Sequence, residues 1–384
     1  MIVSIIGQGY VGLTISAFAG EHHEVIGFDT STTVVERLNK GTSHIEGVDS
    51  LSIAKLIAKG KYKATTNPSD IKGSDIVVIA VPTPLDSSRK PDLSYIDSAC
   101  KVIAENLDKP ALIINESTSY PGTLRDYIKP AIERYSQAKV EHLYAISPER
   151  VDPGRGDFNQ KNTPRLYAGL TPEATARTRE FYSTFCDNLV EVSSAEVAEA
   201  AKLFENTFRQ VNIALVNEFA EISHALGISV HETLEAANTK PYGFMKFNPS
   251  AGVGGHCIPV DPSYLAHVAA EKGVPATFIE RANEVMENSF YRSLSKSLSG
   301  TRDYMAAERL YNLHNDPRFD LVIVDTPPSR NALDFLESPE RLARFLKHPI
   351  VRFLVAPSRG GFRIANAAMQ PVLKAISGIV GGDA

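Results

Sequence analysis

Cys257 stands in the run Gly252-Val-Gly-Gly-His-Cys257-Ile-Pro-Val-Asp261, a thiol in a glycine-rich turn with a carboxylate four residues later. Glycines let the main chain come close to a substrate. A thiolate adds to a carbonyl carbon even when it is the minor species. The pattern therefore suggests covalent catalysis on an aldehyde or acyl carbon. A lone cysteine is more often a small apolar filler beside a turn, so the assignment needs support from elsewhere in the chain. Lys202 and Asn206 lie four apart in a long stretch with helical periodicity and so share one face. For a lysine in isolation, a solvated surface position is the ordinary alternative.

The N-terminal elements place such a thiol beside a redox cofactor. Residues 2–6 form a short apolar run that reads as a buried parallel strand. Gly7-Gln-Gly9-Tyr10-Val11-Gly12 follows at once, and residues 13–19 read as the helix it opens. The first glycine makes the turn, the second admits a pyrophosphate, and the third lets helix and strand pack. Backbone N–H groups and the helix dipole then hold the phosphates. A second strand, residues 24–28, ends in Asp29, about 20 residues past the glycines, where a ribose hydroxyl partner belongs. That carboxylate would repel a 2′-phosphate, which favours NAD over NADP.

Strands and helices then alternate. Strands are expected at residues 75–80, 111–115 and 142–146, with a helix at 93–106 and another starting at Pro121. The strands end in Val81-Pro-Thr83-Pro84, Glu116-Ser-Thr118 and Ser147-Pro-Glu149-Arg150. Ligands of open α/β sheets bind at that edge; ordinary loop capping is the plain alternative for Thr83, Thr118 and Glu149 taken singly. Residues 196–226 carry no proline or internal glycine and stop at Gly227, predicting a helix of roughly 45 Å. Such a helix suits a domain hinge or a dimer interface.

Composition sets the bounds. The chain has 384 residues, 43% hydrophobic and 22% charged, room for two or three domains. A net charge of −5 offers no general attraction to nucleic acid or anionic lipid. Cys100, Cys186 and Cys257 form no disulfide framework and fit a reducing, cytoplasmic setting. Met1 leads directly into strand-like sequence without a signal pattern, no run is long enough to span a membrane, and no metal site is indicated.

These blocks, in this order, resemble the nucleotide-sugar 6-dehydrogenases, the UDP-glucose/GDP-mannose dehydrogenase family. The blocks are Gly7-Gln-Gly-Tyr-Val-Gly12, Val81-Pro-Thr-Pro84, Glu116-Ser-Thr-Ser-Tyr-Pro-Gly-Thr123, Ser147-Pro-Glu-Arg150, Lys202-Leu-Phe-Glu-Asn206, and Phe247-Asn-Pro through Cys257 to Asp261. They cover residues 1 to about 287. The forms of the third and fourth are more similar to the UDP-N-acetylhexosamine branch than to the UDP-glucose branch. The resemblance implies NAD-dependent oxidation of a UDP-sugar C6 hydroxyl to the acid through a thiohemiacetal and a thioester on Cys257. It implies that Lys202 stabilises an alkoxide with Asn206 in support. Asp261 and Glu149 are its acid–base groups, and Thr118 holds a water and touches the cofactor. Cofactor contacts fall on Gly7, Gly9, Tyr10, Val11, Gly12, Asp29, Thr83 and Thr118. Substrate contacts fall on Glu149, Arg150, Lys202, Asn206, Lys246, Asn248, Ser250 and Gly254. A homodimer through the long helix is implied as well.

The expected fold is α/β, a Rossmann-like doubly wound parallel sheet over residues 1–193, with a helical central domain over residues 194–288. Residues 289–384 depart from the family. Phe319-Asp-Leu-Val-Ile-Val-Asp325-Thr-Pro-Pro328, Asn331-Ala-Leu-Asp-Phe-Leu336 and Pro339-Glu-Arg-Leu342 are similar to an interior piece of the arsenite/anion-transporting ATPases. No G-x-x-x-x-G-K-[ST] loop exists in the chain to cradle a nucleotide triphosphate. The expectation there is an incomplete α/β fragment in place of the UDP-binding domain. It would hold a strand ending at Asp325, another at 351–356, an amphipathic helix at 360–380, and a helix at 277–298 crossing the junction. The activity is then expected to be impaired. The alternatives are an inactive NAD-binding, dimerising remnant, an ATPase partner fragment, and a two-electron hydroxyacid dehydrogenase that would not need Cys257 with Asp261.

Overall fold

The computed structural model describes residues 1–45, 47–136, 140–151, 157–250 and 260–287. Residues 1–288 form one compact unit and residues 289–384 a second. The expectations for the tail, including its strands, its terminal helix and the end of the junction helix past residue 287, lie outside the described residues, as do Gly254 and Cys257.

Eight strands make a single sheet in the order β3-β2-β1-β4-β5-β6-β7-β8. They are β1 (Ile2–Ile6), β2 (Glu24–Phe28), β3 (Tyr62–Thr65), β4 (Ile76–Ile79), β5 (Leu112–Asn115), β6 (Leu143–Ile146), β7 (Arg165–Gly169) and β8 (Leu189–Glu191). Ten α-helices accompany them among the described residues: α1 (Tyr10–Gly20), α2 (Thr32–Asn39), α3 (Ser50–Ala58), α4 (Ser94–Asn106), α5 (Lys129–Tyr135), α6 (Pro172–Tyr182), α7 (Ala195–Leu226), α8 (Val230–Asn238), α9 (Asp261–Glu271) and α10 (Thr277–Glu287).

The first six strands run parallel, as their unbroken apolar sequences require when both faces are covered. Val3, Ile5, Val78 and Ile114 pack on one face with Leu13, Ile15 and Leu56. Ile6, Val77, Ile79 and Ile113 pack on the other with Ile96, Ile103 and Leu124. The fully parallel sheet is corrected at β6–β7, which pair antiparallel. No helix intervenes between those two strands among the described residues, and without a crossover the chain can only return antiparallel. Helix α6 supplies the crossover that makes β7 and β8 parallel again.

Register aligns the functional edge. Ile6 pairs with Phe28 and with Ile79, Ile79 with Asn115, and Asn115 with Ile146. The residues that follow, from Gly7, Asp29, Ala80, Glu116 and Ser147 onward, therefore leave the sheet at one level. The order reverses at β1, between β2 and β4, which opens a crevice above the glycine loop.

Pro121 does not start a helix. It sits in a turn before Gly122, whose φ of +99° breaks the backbone, and the chain re-enters as a π-helical turn, Thr123–Ile128, leading into α5. Helix α7 runs 32 residues, about 48 Å, from an N-cap at Ser194 to Gly227 in the left-handed conformation.

Candidate active site

The glycine loop is built by close approach. A Cβ on Gly12 would lie 1.8 Å from the Gly7 carbonyl oxygen, and one on Gly7 would lie 2.5 Å from that of Ala80. A Cβ on Gly9 would meet nothing within 4 Å. Gly7 and Gly12 are thus demanded by the fold, whereas no contact among the described residues demands a glycine at position 9. Gly9 caps α1 without a side-chain hydrogen bond, so the first-turn N–H groups open toward that space. Tyr10 and Val11 occupy the first turn, half-buried. Asp29 lies alongside, one carboxylate oxygen accepting from the Gln8 backbone N–H at 2.8 Å and the other from Ser31 at 2.9 Å. The Gln8 side chain locks the loop from beneath. Its amide donates to Ile5 and Gly7 carbonyls, and its oxygen accepts from Tyr62 at 2.8 Å and Ser16 at 3.1 Å. This cradle fits a dinucleotide, and Gly9 and Asp29 are the residues that could hold its pyrophosphate and its ribose.

The loops after β4 and β5, which carry Thr83 and Thr118, are bonded together. Ser117 Oγ accepts from the Val81 N–H and donates to the Val81 carbonyl, each at 2.9 Å. Tyr264 of α9 donates to the Pro84 carbonyl at 3.2 Å, bringing the head of α9 onto the same loops.

Three predicted residues converge on α7 and α9. Asn206 Nδ2 donates to the Asp261 carboxylate at 2.6 Å. Lys202, half-buried one turn away, acts on that carboxylate through its charge. Burial pushes the Asp261 carboxyl up to about 6, against the pull of Lys202 and Asn206. A carboxyl in that range can exchange protons near neutrality. Farther along α7, Asn217 pairs with the backbone of Ser250, receiving its N–H at 2.9 Å and donating to its carbonyl at 2.8 Å. Ser250 precedes the cysteine segment and Asp261 follows it, so both flanks of that segment are moored to one helix, about three turns apart. Asn217 was not predicted; nothing in its local sequence distinguishes it from a surface amide.

Other predicted residues stand apart from this group. Glu149 is buried in a cluster of its own. Its carboxylate accepts the N–H groups of Arg150 and Val151, both at 2.6 Å, together with Gln160 and Arg165. Arg165 also holds Glu116 at 2.6 Å, and Tyr182 donates to the same carboxylate. Burial pushes Glu116 up to about 7, partly offset by Arg165. Arg150 pairs with Glu205 of α7 at 2.5 Å, Lys246 pairs with Glu235, and Asn248 is exposed. Arg165, Gln160 and Glu116 were missed as site-supporting residues because an arginine at a strand start carries no local signal of burial.

Residues 1–186 match the NAD-binding domain of the UDP-glucose/GDP-mannose dehydrogenase family, and residues 196–288 match its central domain. A UDP-N-acetyl-D-mannosamine dehydrogenase of Pyrococcus horikoshii is 38% identical over 291 residues, 74% of this chain and 69% of that protein. The chain belongs to the UDP-glucose/GDP-mannose dehydrogenase family. As a family member it is an oxidoreductase, and NAD is its cofactor. A UDP-N-acetyl-D-glucosamine 6-dehydrogenase of Pseudomonas aeruginosa is 35% identical over 314 residues, 80% of this chain and 73% of that protein. The solved structure of a UDP-D-ManNAc dehydrogenase from Pyrococcus horikoshii superposes with a TM-score of 0.70 at 35% identity, covering 79% of this chain and 72% of that one. Residues 256–377 match a different family, the anion-transporting ATPases, as the tail motifs had indicated. Among the described residues no helix is long and apolar enough to cross a membrane.

Proposed function

We propose that this family member oxidises the C6 primary alcohol of a UDP-N-acetylhexosamine to the carboxylate in two steps at one site. The observation that carries the reading is the buried Asp261–Asn206 pair beside Lys202, set directly after the Cys257 segment. In the first step the alcohol proton passes to a base and the carbon gives up a hydride, leaving an aldehyde. Cys257 sulfur adds to the aldehyde carbon, its proton going to the new hydroxyl. Loss of a second hydride and of the hydroxyl proton yields a thioester, and water cleaves it to acid and thiol. Two NAD molecules, bound one after the other, would each accept one hydride. Lys202 opposes the negative charge on the substrate oxygen, supported by Asn206. Asp261 is the base nearest to that charge, and Thr118 orders the attacking water. Glu149, held by Arg165, serves the substrate side with Arg150, Lys246, Asn248 and Ser250, and the family resemblance adds Gly254, which lies outside the described residues.

The N-acetyl sugar is favoured by the UDP-N-acetyl-D-mannosamine and UDP-N-acetyl-D-glucosamine dehydrogenases among the relatives. The product class suits precursors of envelope polysaccharide made in the cytoplasm. Turnover is impaired because the dehydrogenase match ends at residue 288 and an ATPase-like stretch follows in place of the UDP-binding domain. The division at residues 193–194 separates the cofactor and central domains. The central domain also dimerises: Phe204, Phe208, Leu215, Ile222 and Leu226 are all exposed along α7.

The test is stoichiometry. Two NADH per sugar acid support the proposal, one NADH per sugar supports a simple alcohol dehydrogenase, and Cys257→Ala with undiminished acid formation removes the covalent route. The ATPase match favours one competing reading, an inactive NAD-binding dimer. Calorimetric binding of NAD without any binding of UDP would select it.

A further inference from the structure

Glu199 has no part in the chemistry above, yet it is among the most thoroughly bonded carboxylates of the chain. It lies on α7, buried, one turn before Lys202. Its Oε1 accepts from Ser119 Oγ at 3.1 Å and from the Leu124 N–H at 3.0 Å, and its Oε2 accepts from the Gly122 N–H at 2.7 Å. All three donors belong to the segment after β5, which runs from the loop directly past Thr118 into the π-helical turn. The start of the loop is tied down by Asn115, whose amide donates to the Ser117 carbonyl and to Ser119 Oγ, whereas the Gly122 and Leu124 N–H groups are held from outside. Gly122 takes a left-handed φ of +99°, and the π-helical turn that follows has no side-chain cap. Glu199 fills the place of that cap from another element.

We propose that Glu199 is a positioning residue of the active site, whose carboxylate sets the loop bearing Thr118 against the face of α7 that carries Lys202 and Asn206. The inference rests on the dehydrogenase reading above and deepens it. The long helix then locates both halves of the catalytic group, the cationic half through its own side chains and the loop half through Glu199. The hold depends on charge. Protonation reverses the bond to the Ser119 hydroxyl or sets an O–H against an N–H, and in either case the neutral carboxyl holds the Gly122 and Leu124 N–H groups less strongly than the carboxylate does. Burial pushes the Glu199 carboxyl up to about 7, with the Gly122 and Leu124 N–H groups and Ser119 pulling it back. The charged and titratable groups around it are few. Glu196 on its own helix raises it, and Arg125 from the facing segment pairs with Glu196 at 2.7 Å. Tyr120 and Asp126 lie on the same facing segment.

The experiment compares the wild-type chain with Glu199→Gln and Ser119→Ala, reading kcat and KM for NADH formation and the amide-exchange protection of Gly122 and Leu124 across neutral pH. Protection in the wild type is expected to fall as pH drops through about 7. Glu199→Gln should have low protection at every pH and a kcat lower by roughly 10- to 100-fold, with KM for NAD little changed. Ser119→Ala removes one donor to the carboxylate, so its protection midpoint should move to higher pH. Protection that ignores pH in the wild type, an undiminished kcat in Glu199→Gln, or a loss matched by a lower folded fraction overturns the proposal. A wild-type chain that forms no NADH overturns the dehydrogenase reading instead. The clamp is then decided by exchange alone: pH-dependent protection abolished in Glu199→Gln supports it, and pH-independent protection sinks it.

Discussion

Asn206 and Asp261 are 55 positions apart, yet they meet at 2.6 Å inside the protein, amide to carboxylate, and tie α7 to the first residue of α9. The bond holds the carboxylate in place while leaving its proton affinity near neutrality.

That affinity predicts a pH profile. If Asp261 is the base, only its ionised form works, so kcat/KM should decline as pH falls through about 6. Asn206→Ala removes a group that pulls the carboxyl down, so the acid limb should shift to higher pH. Stability has the opposite sign. The folded state raises this carboxyl from 3.8, so its contribution is full below that value and is lost as pH rises through about 6. Asp261→Asn should therefore abolish turnover while raising the melting temperature at neutral pH, both measurable on one preparation.

The glycine loop separates folding from binding. Gly12→Ala places a methyl on the Gly7 carbonyl and should lower the melting temperature by several degrees or prevent folding. Gly9→Ala meets nothing in the protein. It should melt near the wild type and lose NAD affinity by isothermal titration. Equal NAD affinity in Gly9→Ala would count against a pyrophosphate above that residue.

Arg165 sits between two buried carboxylates, Glu116 and Glu149. Arg165→Met leaves both without a counter-charge and should cost about 3 to 5 kcal/mol in denaturant unfolding at neutral pH. Burial already pushes Glu116 up to about 7, and the variant removes the Arg165 charge that opposes this. The deficit should therefore shrink as pH falls and the carboxyl protonates. A pH-independent deficit would mean lost packing on Tyr182, whose ring lies 4.5 Å from the guanidinium.

The apolar stripe of α7 makes its own prediction. Leu215→Glu puts a charge amid exposed Phe208 and Ile222 and should convert a dimer to monomers in sedimentation equilibrium. A wild type that sediments as a monomer at all concentrations would remove the dimer.

The parallel core and its functional edge were legible because they are local. Apolar runs, Gly7, Gly9, Gly12 and Asp29 announce a strand, a turn, a helix and a second strand in direct succession. The bounds of α7 were legible for the same reason, since Ser194 and Gly227 are capping residues at the ends of an uninterrupted period. What was not legible depends on distant partners. The short strands β3, β7 and β8 have little period of their own, and their place is decided by the strands beside them. Glu149 and Arg150 read as substrate groups from their motif, but each has an internal partner, Arg165 and Glu205, supplied from elsewhere in the chain. Glu199, Asn217 and Gln8 look like surface polar residues until the fold encloses them.

Helix α7 carries a buried polar row: Glu199, Asn206, Gln210 and Asn217. Each is bonded to a different segment, respectively the loop after β5, the head of α9, Asn283 of α10 and the strand of chain at Ser250. An apolar row would tolerate sliding by a turn; this one does not. Any segment that docks out of place strands a buried amide or carboxylate, at about 1 to 3 kcal/mol apiece. The helix therefore acts as a proofreader of assembly, accepting one arrangement of four chain segments and penalising every near miss before chemistry begins.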